Sequence, residues 1–310
     1  MCRTLVKTTG LDHDVWLRYR KQGIGGSDAG AICGLNPYVS PINVFLDKTS
    51  EVAEDVDNES MRQGRDLEAY VAQRFMEETG KKVRKCNRIL QNKKHPFMIA
   101  DVDRLIVGES AGLECKTASP YSSDKWKDGR IPEHYLLQCH HYMAVTGAKA
   151  WYIAVVIYGR EFKYAKIERD EELIQYLVSI EREFWYRHVK TCTMPSPDGS
   201  KVADEVLQNY FRESDREKQV TLQEFDKQLE RRDELTDMIE KLDKERRQID
   251  QNIKLAMAEA EVGVGSSHIV NWRSYVSSRI DTERLKKEKP EIYKDYCKET
   301  RTRRFTVNAA

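Results

Sequence analysis

Asp103, Glu114 and Lys116 are the residues of this chain whose types and spacing most directly suggest chemistry. Two carboxylates eleven positions apart, the second followed by Cys115 and then a lysine, can converge on one divalent cation with an ammonium beside it. Phosphodiester hydrolysis asks for such a set. It needs water made nucleophilic near neutral pH, compensation for charge growing on phosphate oxygens, and a stabilised leaving alkoxide. Mg²⁺, or Mn²⁺ in its place, held by carboxylates supplies all three. On this reading Asp103 and Glu114 hold the metal, Cys115 adds its backbone carbonyl, and Lys116 orients the attacking water or neutralises the scissile phosphate. A solvated strand face crossed by an ordinary ion pair would contain the same residues, so the surrounding elements must decide.

Met98 to Val107 reads as one strand, Gly108 to Ala111 as its turn, and Gly112 to Thr117 as the returning strand. Alternation along strands then puts Asp101 and Asp103 on one face, sets Asp103 nearly opposite Glu114, and turns Arg104 away into a structural role. Upstream, Leu67, Val71 and Phe75 recur every four residues between Met61 and the stop signal Gly80. That helix carries Glu68, an upstream acid that either faces solvent or completes the metal site directly or through water. Downstream, His134 to Thr146 is helical and places Gln138 and Tyr142 on one face, as active-site groups or as half-buried polar residues. His140 and His141, about 100° apart on that helix, cannot chelate one metal.

Ala150 to Ile157 is so continuously apolar that it belongs inside a sheet. Glu161 to Ile167 reads as an outer strand and Asp170 to Val189 as an amphipathic helix. At the amino-terminal side, Gly23 to Asp28 forms a glycine-rich turn in which Ser27 or Asp28 caps a helix reaching Cys33. Pro41 to Lys48 is a second short helix, and Glu51 to Glu59 an acidic loop. The whole predicts an α/β fold with a central mixed β-sheet flanked by helices.

The order D…E-x-K, then Q-x-x-x-Y, resembles the PD-(D/E)xK superfamily of restriction enzymes and RecB-like nucleases. With Tyr19-Arg20, Ile24 to Asp28, and Gly64 to Glu68 ahead of it, the stretch Trp16 to Ile157 is similar to the YqaJ-like viral recombinases related to lambda exonuclease. Five separated motifs agree in order and spacing. The resemblance implies a restriction-endonuclease-like core and a 5′ to 3′ exonuclease that digests one strand of linear double-stranded DNA. It implies catalytic roles for Glu68, Asp103, Glu114, Lys116, Gln138 and Tyr142. It implies further that Arg20 and Ser27 grip a terminal 5′-phosphate, that the protein is a toroidal homo-oligomer, trimer or tetramer, and that its partner is a single-strand annealing protein of the RecT or Red-beta type. The chemistry of the pair suits the task, since a guanidinium binds phosphate bidentately and a hydroxyl at a helix start adds a donor. A restriction-like or junction-resolving endonuclease, and a non-catalytic DNA-binding assembly protein, are the alternatives.

Composition sets the remaining bounds. The 52 basic and 51 acidic residues leave a net charge of +1, which neither requires nor forbids a nucleic-acid partner. No apolar run approaches the roughly 18 residues of a membrane span, and no signal peptide opens the chain, so a cytoplasmic protein is expected; the resemblance implies that it is phage- or prophage-encoded. Seven scattered cysteines without a C-x-x-C pair argue against disulfide frameworks, zinc knuckles and iron–sulfur clusters. Pro195 to Gly199 marks the expected boundary between a nuclease core, 1–194, and an extension, 195–310. Within the extension Thr221 to Glu261 reads as one charged helical arm with a thin stripe at Leu235, Leu242, Ile249 and Ala256. The tail from Thr282 onward has nine Lys and Arg against five Asp and Glu. Trp272 and Tyr275 could stack on DNA bases, and packing into a core is the expectation for them.

Overall fold

The computed structural model describes residues 2–51, 58–299 and 302–308. Most of the acidic loop expected at Glu51 to Glu59 lies outside them. The chain forms two compact units, Met1–Phe211 and Arg212–Ala310.

The first unit opens with β1 (Cys2–Lys7) and three short helices, α1 (His13–Arg20), α2 (Gly26–Ile32) and α3 (Pro41–Thr49). The long α4 (Glu59–Thr79) follows, started by the Asn58 side chain accepting from the Met61 amide and stopped by Gly80 at φ +68°. Then come β2 (Val83–Lys85), β3 (Arg88–Asn92), β4 (Ile99–Asp101), β5 (Arg104–Ile106) and β6 (Ala111–Ala118). Helical turns at Pro120–Gly129 lead to α5 (Glu133–Thr146), β7 (Ala150–Ile157), β8 (Glu161–Glu168), α6 (Glu171–Phe184) and α7 (Lys201–Tyr210).

Five strands make a mixed sheet in the order β2-β5-β6-β7-β8, in which β6 and β7 run parallel and the other neighbours antiparallel. α4 covers one face through Val71 and Phe75, which join Leu113, Tyr152 and Ala154 in one apolar cluster. α5 packs against the other face of β7, where its Tyr142 and Met143 join Trp151, Ile153 and Val155 in a second cluster. A strand covered on both sides must be apolar throughout, and the unbroken apolar run of β7 reflects that double cover. A smaller antiparallel sheet, β1-β3-β4, carries the start of the chain.

Three expectations change. The single strand Met98 to Val107 is two strands in two sheets: β4 pairs with β3, β5 pairs with β2 and β6, and the chain bends at Asp103 between them. One straight strand cannot satisfy both sets of partners, so Asp101 and Asp103 do not share a strand face. α2 begins earlier than expected, because Asp28 caps it from inside the first turn, its Oδ2 accepting the Gly25 amide at 2.8 Å. The first unit also extends past Pro195, since α7 packs on α3 and buries Ala203.

In the second unit α8 (Asp226–Met257) is followed by the hairpin β9 (Val262–Val264) and β10 (Ile269–Asn271), then α9 (Thr282–Glu288) and α10 (Pro290–Asp295). Leu235, Leu242 and Ile249 on α8 are exposed. No helix among the described residues is long and apolar enough to cross a membrane.

Candidate active site

β5 and β6 bring the predicted carboxylates together. Their register pairs Arg104 with Leu113, which leaves Asp103 beside Glu114, and the Asp103 carboxylate is fixed by the Cys115 amide, donating to its Oδ2 at 2.8 Å. Glu114 is buried beneath α5. Its Oε1 accepts Lys116 Nζ at 2.6 Å and Gln138 Nε2 at 2.7 Å, and Gln138 Nε2 also donates to the Tyr142 hydroxyl at 2.8 Å. Lys116 Nζ lies 4.7 Å from the centroid of the Tyr135 ring. Gln138 and Tyr142 thus touch the site, one through Glu114 and the other through Gln138.

Burial, and then the nearby Glu114 and Glu68 charges, push the Asp103 carboxyl well above its usual range. Burial raises Glu114 as well, although Lys116 opposes it. Burial would lower Lys116, but the Glu114 charge overrides it and holds the ammonium protonated. Two carboxylates that resist ionisation next to each other make a strong demand for a cation.

Glu114 Oε2 supplies the test of whether a metal fits. It is a buried carboxylate oxygen with no hydrogen-bond partner, an arrangement that costs free energy unless a cation meets it. With Asp103 adjacent, the donor set is the hard oxygen set that Mg²⁺ takes. Among the described residues no three Asp, Glu, His or Cys side chains close into a complete cage. Glu68 is the reason on one side: its carboxylate is ion-paired to Arg104, whose guanidinium also donates to the Asp103 carbonyl at 2.8 Å. Arg104 is therefore buried and structural, holding the α4 acid next to the Asp103 bend.

Arg20 and Ser27 also meet. Arg20 Nη2 donates to Ser27 Oγ at 3.3 Å, with the guanidinium 4.8 Å from the Trp16 ring centroid. Trp16 Nε1 in turn donates to Asp101 Oδ2 at 2.8 Å. Sequence reasoning misses this link, because no local pattern connects α1 to β4. Lys48 is another omission: its buried ammonium pairs with Asp28 at 2.8 Å and donates to the Arg20 carbonyl at 3.2 Å, tying the end of α1 to the start of α2. Gly26 brings the two halves into contact, since a Cβ there would lie 2.5 Å from Tyr142 Cε1 and 3.1 Å from Gln138 Cγ. His141 binds elsewhere, its ring bridging Glu181 Oε1 and the Ile99 carbonyl at 2.8 Å each, which pins α5 to α6 and β4.

Residues 15–149, the span holding every one of these side chains except Glu181, match the YqaJ-like viral recombinase domain. The protein YqaJ of Bacillus subtilis (strain 168) is 38% identical over 307 residues, covering 98% of this chain and 96% of its own. The chain belongs to the YqaJ family. Among solved structures, similarity extends to an alkaline exonuclease from Laribacter hongkongensis, at 20% identity and TM-score 0.47, over 58% of this chain and 99% of that one. A phage-related exonuclease from Haemophilus somnus 129PT follows at 14% identity and TM-score 0.41, over 57% and 99%. Membership of the YqaJ family and the carboxylate–lysine site together support a nuclease.

Proposed function

We propose that this YqaJ-family protein is a Mg²⁺-dependent exonuclease that digests one strand of linear duplex DNA from its 5′ end. The orphaned Glu114 Oε2 beside Asp103 carries the reading, because it calls for a cation where Lys116 stands ready to meet a phosphate. Asp103, Glu114 and the Cys115 carbonyl would hold the metal, with Glu68 reaching it through water. Bound there, the ion supplies Lewis acidity and a water acidified toward neutral pH. Gln138 and Tyr142 keep Glu114 oriented, and Lys116 steers the attacking water or neutralises the scissile phosphate.

Arg20 and Ser27 favour an exonuclease over an endonuclease, since an end-dependent enzyme has use for a terminal-phosphate grip and a mid-strand cutter does not. The contact at Gly26 sets that grip directly against the metal-site helix. A toroidal homo-oligomer enclosing the duplex, and a single-strand annealing partner of the RecT or Red-beta type in recombination, complete the proposal.

The test is digestion of end-labelled linear duplex. Degradation with Mg²⁺, absent in EDTA, faster with a 5′-phosphate than a 5′-hydroxyl, and absent on closed circular DNA, is the expected result. Nicking of closed circles at the same rate would replace the exonuclease with an endonuclease.

A further inference from the structure

Trp272 and Tyr275 do not pack into a core. Trp272 is 46% exposed and Tyr275 82%. All ten residues of 271–280 are exposed, and those after Asn271 form neither helix nor strand. The segment is nonetheless anchored at its start: the Trp272 amide donates to the Glu261 carbonyl at 2.9 Å, at the open end of the β9–β10 hairpin. Lys254, in the last turn of α8, places Nζ 5.9 Å from the Trp272 ring centroid.

Within the segment itself, between the flanking Glu261 and Asp281, the charge has one sign. No Asp or Glu occurs between Glu261 and Asp281, and the interval holds Arg273, Arg279 and His268. Exposed rings interleaved with cations, in a segment that carries no Asp or Glu of its own, match a polyanion that offers planar faces. Duplex DNA hides its base faces in the stack, whereas a single strand presents both bases and phosphates.

We propose that the segment from Trp272 to Arg279, with Lys254 beside it, binds single-stranded DNA without sequence preference, bases stacking on Trp272 and Tyr275 and phosphates meeting Arg273, Arg279 and Lys254. The identity of the natural ligand rests on the exonuclease reading, because digestion of one strand leaves the other single. The surviving strand is then held by the enzyme that exposes it.

The experiment uses the full-length protein in EDTA, titrated with a 5′-hydroxyl oligo-dT of about 15 nucleotides, the upper range of single-strand site sizes. The 5′-hydroxyl keeps the Arg20–Ser27 grip out of the measurement. Trp126, Trp151 and Trp185 are buried and Trp16 is half-buried and hydrogen-bonded to Asp101, so binding quenches chiefly the exposed Trp272, and Trp272→Phe loses most of that quench. Trp272→Ala and Tyr275→Ala each weaken binding about 5- to 150-fold, the range for losing one stacked base. Arg273→Gln with Arg279→Gln lowers the slope of log affinity against log salt by about 1.4, two contacts at roughly 0.7 each. These arginines are exposed, so this variant decides the matter if the aromatic ones do not fold.

Unchanged affinity and salt slope in folded variants overturn the proposal. So does a change in oligomer mass with single-strand affinity intact, which would make the segment a self-association surface. Duplex digestion in Mg²⁺ is assayed on the same preparations. Oligo-dT binding without digestion sinks the exonuclease reading and leaves this site standing, while digestion without binding does the reverse.

Discussion

Gly26→Ala probes the contact between the proposed phosphate grip and the proposed metal site. The added Cβ would lie 2.5 Å from Tyr142 Cε1, 2.8 Å from Cζ and 3.1 Å from Gln138 Cγ, the first two closer than packed carbons come. The Gly26 backbone does not require positive φ, so alanine is conformationally acceptable and helps the helix by about 0.5–1 kcal/mol. Overpacking works against it, costing about 1–3 kcal/mol. The net is a loss of up to about 2.5 kcal/mol, or a fall in Tm of roughly 2–4 °C per kcal/mol for a unit of this size. The ring cannot retreat freely, because its hydroxyl is tied to Gln138 and Gln138 to Glu114. Activity on linear duplex therefore falls more than stability does, by about 10- to 100-fold, as for a misplacement approaching 1 Å. Thermal melting and initial rates on 5′-phosphorylated duplex measure both. Adding Tyr142→Leu relieves the clash and recovers Tm without recovering rate. A Gly26→Ala protein with wild-type Tm and rate would refute the close packing from which both losses are reckoned.

Further outcomes follow from the same geometry. Lys116→Ala retains duplex binding and loses at least about 100-fold in cleavage, the scale for one transition-state charge stabiliser; equal cleavage rates would remove Lys116 from the chemistry. Arg20→Ala reduces the preference for 5′-phosphate ends by about 5- to 150-fold, equivalent to about 1–3 kcal/mol for a charge-assisted bond, read as the ratio of rates on phosphorylated and hydroxyl ends. Lys48→Met strands Asp28 without its cation and costs about 3–5 kcal/mol in denaturant melts; a stable variant that keeps the phosphate preference would exclude Lys48 from positioning the grip. Burial would raise the Asp28 carboxyl, but Lys48 and Arg20 hold it below its usual value. Its stabilising effect is thus full above about pH 4, the unfolded value, and is lost as the pH falls through the lower folded value. Acid unfolding of Asp28→Asn should therefore be less steep below pH 4 than that of the wild type.

Much of the core is readable from periodicity. β7 follows from its unbroken apolarity, α4 from the four-residue spacing that ends at Gly80, and the adjacency of Asp103 and Glu114 from strand alternation across a short turn. The rest depends on choices that local pattern does not encode. Alternation continues smoothly from Met98 to Val107 in sequence, and only the competing partners β3 and β6 reveal that the chain changes sheets. Glu68 can be placed on its helix but not assigned to Arg104, whose buried charge must find a carboxylate. Trp16 and Lys48 act through residues distant in sequence, and neither sits in a motif. α7 reads as part of the extension because Pro195 and Pro197 interrupt the pattern, yet its apolar face is completed by α3.

The bend at Asp103 places the two carboxylates on separate mechanical supports. Asp101 moves with the small sheet and with Trp16, whereas Asp103 moves with the large sheet and with the Cys115 amide. Val102 and Asp103 alone link β4 to β5, so an inserted residue there would shift one support against the other. The spacing between the proposed end grip, tied to Asp101 through Trp16, and the proposed metal site is thus set in part by a two-residue link.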